Sequence, residues 1–224
     1  RDSLNMNADF VWVADDDAYP DKNAFKIANM KYEKYALTDI SAICGQVITE
    51  GSTDIEHRRY SEKTLLKVKQ IPIPLDKYND EMFELDQFSY VGTFLSVDKM
   101  KKVGLPNKDY FIYFDDTEHS IRMSRVGKII CFPEIKIKHD TPLNINPTIS
   151  WKSYYGIRNK LYSYKKLYPL RYYMCIYLKE MLKCNFKLLL HKNVKENKLI
   201  KAALRDAKKG KLGLHTIYKP GWKM

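Results

Sequence analysis

Asp9–Pro20, DFVWVADDDAYP, sets an apolar run, Phe10 to Ala14, directly before Asp15, Asp16, Asp17 and then Pro20. A short apolar run closed by turn-forming residues reads as a buried strand that carries carboxylates to its C-terminal edge. Open α/β sheets bind ligands at that edge. Asp15 and Asp17 are two residues apart, so continued strand geometry turns both side chains to one side and Asp16 to the other. Two carboxylates on one side can share a cation. Oxygen ligands favour a hard divalent ion, Mg²⁺ or Mn²⁺, which keeps positions open for phosphate oxygens. A solvated acidic turn ahead of a helix is the alternative reading.

Outward from that stretch, Phe25, Ala28, Tyr32 and Tyr35 recur at helical spacing and Ser41–Thr49 returns to strand composition, which makes a β-α-β unit. Glu50 to Glu84 is polar, with Pro72 and Pro74, and reads as a loop excursion. Phe88–Val97 reads as a strand, with Asp98 as N-cap of a short helix that Gly104 ends. The aromatic segment Tyr110–Phe114 reads as a strand leading into Asp115. A helix over 116–125 follows, with Gly127 as its C-cap, then strands at Ile129–Phe132 and Ile135–Lys138 with His139 at a strand end. Beyond Thr148 the pattern is helical, in stretches around 151–168, 170–190 and 194–209. The fold class is α/β followed by a helical tail, with a boundary near residue 147 that separates 1–147 from 148–224. The first residues read as the end of a helix.

The chain has 224 residues, 45% hydrophobic and 29% charged, with 9 Gly and 9 Pro, which excludes disordered and collagen-like chains. No apolar run approaches the roughly 18–20 residues that cross a bilayer. Cys44, Cys131, Cys175 and Cys184 form no CxxC pair and read as reduced thiols. The net charge of +12 is unevenly spread: residues 151–224 hold 19 Lys and Arg against 3 acids, and residues 1–150 hold 20 against 24. The basic part also holds 9 of the 17 tyrosines, a mixture suited to anionic head groups or nucleic acid.

Three further features carry chemistry. Asp115, Asp116 and Glu118 stand at a helix start, where they either cap the helix or, beside aromatic walls and one another, supply a general base. His139, followed by Asp140, can complete the coordination of a metal held by two carboxylates, or can be structural. His57, His119, His191 and His215 read as surface or packing residues. In WKSYYGIRNKLY, residues 151–162, Tyr155, Arg158, Asn159 and Tyr162 lie on adjacent helix turns, where packing accounts for the aromatics and Arg158 can reach a phosphate.

In this order, WVADDDAYPD, GTFLSV, KDYFIYFDDTEHSIRMSRVGK, a strand ending in His139, and WKSYYGIRNKLY resemble the family 2 glycosyltransferases of GT-A fold, closest to bacterial galactofuranosyl and rhamnosyl transferases. The resemblance covers about residues 1–165 and makes the chain the C-terminal portion of a GT-A domain followed by a helical basic tail. It implies that Asp15 and Asp17, joined by His139, hold Mg²⁺ or Mn²⁺ against the diphosphate of a nucleotide sugar. Asp16 would lie near the donor's sugar or ribose, with Arg158 as a further donor contact. Asp116 matches the general base, Asp115 and Glu118 orient the acceptor, and Gly92 and Thr93 line the acceptor side. UDP-galactofuranose is the preferred donor, with dTDP-rhamnose or another UDP-hexose as alternatives, and a glycan or lipid-linked molecule is the acceptor.

The strands that bind the nucleobase in that family have no counterpart here, which leaves activity as the expectation for a longer parent chain. The basic aromatic tail suits a cytoplasmic protein peripheral on the inner face of the plasma membrane. A metal-dependent phosphoryl transferase or nuclease is the rival enzyme class, since it too uses clustered carboxylates. A non-enzymatic membrane- or nucleic-acid-binding module rests on the basic segment alone. Nucleic acid is not expected as a partner, because no recognition motif accompanies those charges.

Overall fold

The computed structural model describes residues 8–35, 39–141 and 149–223, so the boundary expected near residue 147 and the helix end expected at the N-terminus lie outside the described residues. The first strands are β1 (Phe10–Val13) and β2 (Ala18–Pro20), followed by α1 (Ala24–Lys34) and β3 (Ile40–Thr49). The next segment holds β4 (Ser52–Thr53), β5 (Arg58–Lys63), β6 (Val68–Pro72), β7 (Phe83–Leu85) and β8 (Gln87–Phe88). Then come β9 (Thr93–Ser96), α2 (Val97–Val103), α3 (Asp115–Met123) and β10 (Lys128–His139). Helices α4 (Trp151–Leu167), α5 (Leu170–Leu189) and α6 (Val194–Lys209) close the chain.

Two compact units share these elements: residues 1–62, 70–105 and 119–145 form the first, and 63–69, 106–118 and 146–224 the second. In the first, the main sheet runs β1-β9-β3-β10-β2. β3 and β10 pair in parallel, while β9 pairs antiparallel with both β1 and β3. The expected β-α-β unit is therefore split, with β9 inserted between its two strands. Alternation along the central strands explains the two faces. Ala42, Cys44, Ile129 and Cys131 face a layer containing Tyr78, Phe83, Leu85, Met100 and Met123. Ile43, Val47, Ile130 and Ile137 face α1 through Ala24 and Ala28. Each fully buried aliphatic side chain of this kind contributes about 1.5–3 kcal/mol.

Several expectations change. Glu50–Glu84 is built, not a loop excursion: β5 pairs antiparallel with β8, placing Arg58 opposite Phe88. Arg58 is fully buried. Its guanidinium donates to the carbonyls of Gly45 (3.1 Å), His57 (3.0 Å), Ser89 (3.4 Å), Val91 (2.7 Å) and Gly92 (3.2 Å). Those bonds offset the cost of burying the charge and fix the turn that breaks the expected strand 88–97. The N-cap of α2 is Ser96, whose hydroxyl accepts from Lys99 N, and not Asp98. The two strands expected at 129–138 form one, β10, with a register shift between Phe132 and Lys136.

In the second unit, α4, α5 and α6 pack around Leu161, Tyr164, Tyr172, Tyr173, Leu204 and Ala207. Ser150 N donates to Ser153 Oγ at the start of α4, and Gly210 takes the left-handed conformation that ends α6.

Gly92 has φ +68°, and a methyl group there would stand 2.4 Å from Ile137 Cγ1; Gly51 has φ +78° with open space around it. Gly51→Ala meets only the left-handed backbone penalty, about 1 kcal/mol. Gly92→Ala adds overpacking and destabilises by about 3 kcal/mol or more. Urea unfolding of the two variants beside the parent chain measures the difference.

Candidate metal centre and acidic helix start

The three aspartates do not continue β1. Ala18 N donates to Asp15 O at 3.1 Å, so Asp15–Ala18 is a β-turn joining β1 to β2. The turn, not strand alternation, brings Asp15 and Asp17 to one side. β2 pairs antiparallel with β10, which sets Ala18 opposite His139. Asp140 N donates to Asp17 O at 2.9 Å and extends that pairing by one bond. His139 Nε2 lies 3.4 Å from Asp17 Oδ1, and the Thr141 hydroxyl donates to the Asp17 carboxylate. One ligand atom from each of Asp15, Asp17 and His139 falls within 4.8 Å of the others.

The Thr141 hydrogen bond, assisted by His139, holds the Asp17 carboxyl below its ordinary range. Asp15 and Asp16 are exposed. The His139 side chain is only 11% exposed, and its Nδ1 is buried without a hydrogen bond among the described residues. Two carboxylates with the imidazole Nε2 turned toward them fit a divalent cation, and the nitrogen favours Mn²⁺ or a later transition ion over Mg²⁺.

A second group meets at the same histidine. Asp54 caps the short turn Ile55–His57: it accepts from Glu56 N at 3.1 Å and from Thr49 Oγ1 at 3.2 Å. His57 Nε2 sits 3.2 Å from Asp54 Oδ2, and its Nδ1 lies 2.7 Å from Ser89 Oγ. The His57 ring meets the His139 ring edge-on at 5.2 Å. Ligand atoms of Asp54, His57 and His139 again lie within 4.8 Å of one another. The His57 hydrogen bond pulls the Asp54 carboxyl down to about 2. Burial outweighs Asp54 at His57 and lowers the imidazole from its ordinary value. Both ring nitrogens of His57 thus have partners, Asp54 at Nε2 and Ser89 at Nδ1. Sequence reasoning passed over this pair; a carboxylate and an imidazole three residues apart, directly after the Ser41–Thr49 strand, were the available signal.

The acidic helix start belongs to the second unit, except that α3 runs on past it. Tyr110–Phe114 is not a strand. Phe111, Tyr113 and Phe114 have φ of 69°, 64° and 70°, a left-handed run that aromatic residues rarely adopt. Asn159 holds it there: Nδ2 donates to the carbonyls of Tyr110 (3.0 Å), Ile112 (3.0 Å) and Tyr113 (2.8 Å). Arg158 adds donors to Gly213 O (2.7 Å), Tyr110 O (3.0 Å), Asp109 O (3.4 Å) and Asn159 Oδ1 (2.9 Å). The residue is 1% exposed, and its guanidinium serves the loop while forming part of the lining of a neighbouring cleft. The loop delivers Asp115 and Asp116 half-buried at the first turn of α3, with Glu118 buried behind them. Asp116 Oδ1 accepts from Thr117 N at 2.5 Å and Thr117 Oγ1 at 3.1 Å, in the manner of a helix-start carboxylate.

Gly92 and Thr93 are both buried. Thr93 is fully buried and donates to Ser89 O at 2.9 Å, while the Gly92 carbonyl accepts from Gly45 N and Arg58. His119 is a packing residue: it is fully buried between Tyr90 Oη (2.8 Å) and Gly104 O (3.2 Å), and burial lowers its pKa to about 4.

No family model and no curated protein matches the sequence. Among solved structures, GalNAc-T7 with UDP, GalNAc and Mn²⁺ aligns at 14% identity and a TM-score of 0.46, over 70% of this chain and 33% of that one. A197 from STIV aligns at 16% identity and a TM-score of 0.38, over 63% of each chain. This chain therefore spans about a third of the GalNAc-T7 chain.

Asn159→Ala removes a donor from three carbonyls, of which Tyr110 O keeps its bond from Arg158 while Ile112 O and Tyr113 O lose theirs. The expected cost is about 3 kcal/mol in urea unfolding, with loss of near-ultraviolet aromatic ellipticity from the 110–114 loop.

Proposed function

We propose that the chain carries the metal-binding and acceptor-side portion of a glycosyltransferase of GT-A type. The reaction would move a sugar from a nucleoside diphosphate donor to a hydroxyl of a cell-surface glycan or lipid-linked acceptor, at the cytoplasmic face of the plasma membrane. The observation that carries this reading is the convergence of Asp15, Asp17 and His139 at the β2–β10 edge, within 4.8 Å of one another. A divalent ion there would neutralise charge developing on a departing diphosphate. Asp15, Asp17 and His139 would hold it, and Asp16, exposed on the same turn, would face the donor's sugar or ribose.

On the family resemblance, Asp116 takes the proton of the acceptor hydroxyl. That oxygen bonds to the anomeric carbon as the carbon–diphosphate bond breaks, so one displacement inverts the centre. Asp115 and Glu118, on the same first turn of α3, orient the acceptor. UDP-galactofuranose is the preferred donor on the same resemblance. A second reading, a metal-dependent phosphoryl transferase, finds its support in the Asp54–His57–His139 group, a second set of metal-type side chains gathered at the same histidine. Two tightly bound ions per chain together with release of phosphate would favour it.

Calorimetric titration with Mn²⁺ tests the metal centre. One ion per chain is expected, with affinity lowered about tenfold or more in Asp17→Asn and in His139→Ala. Unchanged affinity in both variants overturns the site. Separately, Asp116→Asn should lower turnover with UDP-galactofuranose, dTDP-rhamnose or a UDP-hexose, whichever is used, by about 100-fold or more, while Mn²⁺ affinity stays at the parent value. Normal turnover in that variant removes Asp116 as the base.

A further inference from the structure

Helix α5 is apolar on two sides. Its inner side buries Tyr173 and Cys184 in the second unit's core. Its outer side exposes Leu178 (50%), Leu182 (70%), Phe186 (63%) and Leu189 (76%) to solvent, with Leu170 and Met174 continuing the row toward the helix start. At about 100° per residue, the first four fall within one sector roughly 80° wide. A helix that is apolar all round is ordinarily covered all round. A row of large apolar side chains this long and this exposed marks an interaction surface.

Charge identifies what covers it. Lys179, Lys183 and Lys187 follow one edge of the sector at successive turns. Along the other edge, Tyr177 and Met181 line a cleft of about 760 Å³ whose far wall carries Lys198, Lys201, Arg205 and Lys211. Lys201 Nζ reaches across to Asn185 Oδ1, 2.9 Å away, and so ties that basic wall to the margin of the row. The apolar row is thus flanked by cations on both sides. A second copy of the chain would bring like charges together, and an apolar protein partner would leave them unmatched. An anionic bilayer supplies acyl chains for the row and phosphates for both flanks.

We propose that α5 docks in the plane of an anionic lipid surface. Leu178, Leu182, Phe186 and Leu189 enter the acyl boundary, while Lys179, Lys183, Lys187 and the basic cleft engage head-group phosphates. This deepens the membrane part of the reading above and does not depend on sugar transfer.

Co-sedimentation of the full chain with vesicles of phosphatidylcholine alone, or mixed with phosphatidylglycerol, tests it. Binding is expected to the mixed vesicles, weakened by salt. The Leu182→Ser/Phe186→Ser variant should lose about tenfold or more in affinity, and Lys179→Glu/Lys183→Glu a similar factor at low salt. Circular dichroism and Mn²⁺ titration of each variant confirm that the remainder of the chain is intact. Binding that survives both variants overturns α5 as the docking surface while the membrane reading stands. No binding to anionic vesicles overturns both, and leaves the metal centre untouched. A dimer of the parent chain that becomes monomeric in Leu182→Ser/Phe186→Ser assigns the row to a second copy and likewise overturns the proposal.

Discussion

The pairing of β10 with its two neighbours governs the metal centre. On one side β10 runs parallel to β3, whose register sets His139 against Thr49; on the other it runs antiparallel to β2, setting His139 against Ala18. One residue of slip in either ladder would turn the imidazole to the opposite face. The buried residues of β10 resist that slip, because Ile129 and Cys131 belong to one core layer and Ile130 and Ile137 to the other. Hydrophobic register therefore fixes where the imidazole meets the aspartates.

Both units solve a similar local problem with a buried guanidinium. Arg58 gathers the carbonyls of Gly45, His57, Ser89, Val91 and Gly92. Arg158 gathers those of Asp109, Tyr110 and Gly213, with Asn159 taking the carbonyls that follow. Irregular backbone leaves carbonyls without ladder partners, and an always-charged planar donor satisfies several at once from one position. In the first unit the clamped turn precedes β9 and sits beside Ser89, the partner of His57. In the second it holds the left-handed aromatic run that ends at Asp115. Neither arginine faces a carboxylate in these bonds, so each is better understood as backbone scaffolding than as half of an ion pair.

This accounts for what could and could not be read beforehand. DFVWVADDDAYP announced a strand ending in acids, and the alternating segment before His139 announced its strand end, because both signals are local. The turn at Asp15–Ala18 was hidden, since three aspartates fit a strand edge and a turn equally well. β5, with the sequence RRYSEK, has the composition of a surface loop, and only the fold shows that its first arginine is buried. With β5 unread, the Asp54–His57 pair just before it had no context. Tyr110–Phe114 failed for the converse reason: aromatic residues favour strands by composition, but the donors of Asn159, about 46 residues later, override that preference.

The sharing of His139 between Asp17 and the Asp54–His57 pair limits what the centre can do. One imidazole presents two nitrogens in fixed, diverging directions, so it cannot offer the same lone pair to both groups. If Nε2 serves the Asp15–Asp17 side, as its 3.4 Å approach to Asp17 indicates, His57 acts on the ring from its edge. Ser89 and Asp54 bind the two nitrogens of His57 and hold it from rotating. That leaves His57 as a rigid wall against which the His139 ring is set. The buried Nδ1 of His139, without a partner among the described residues, is the atom whose cost a bound cation on the other nitrogen would have to offset, or that a second cation would satisfy directly. A stoichiometry of one or of two therefore distinguishes a positioned single-ion centre from a bridged pair, and the chemistry assigned to the chain follows from which of the two it is.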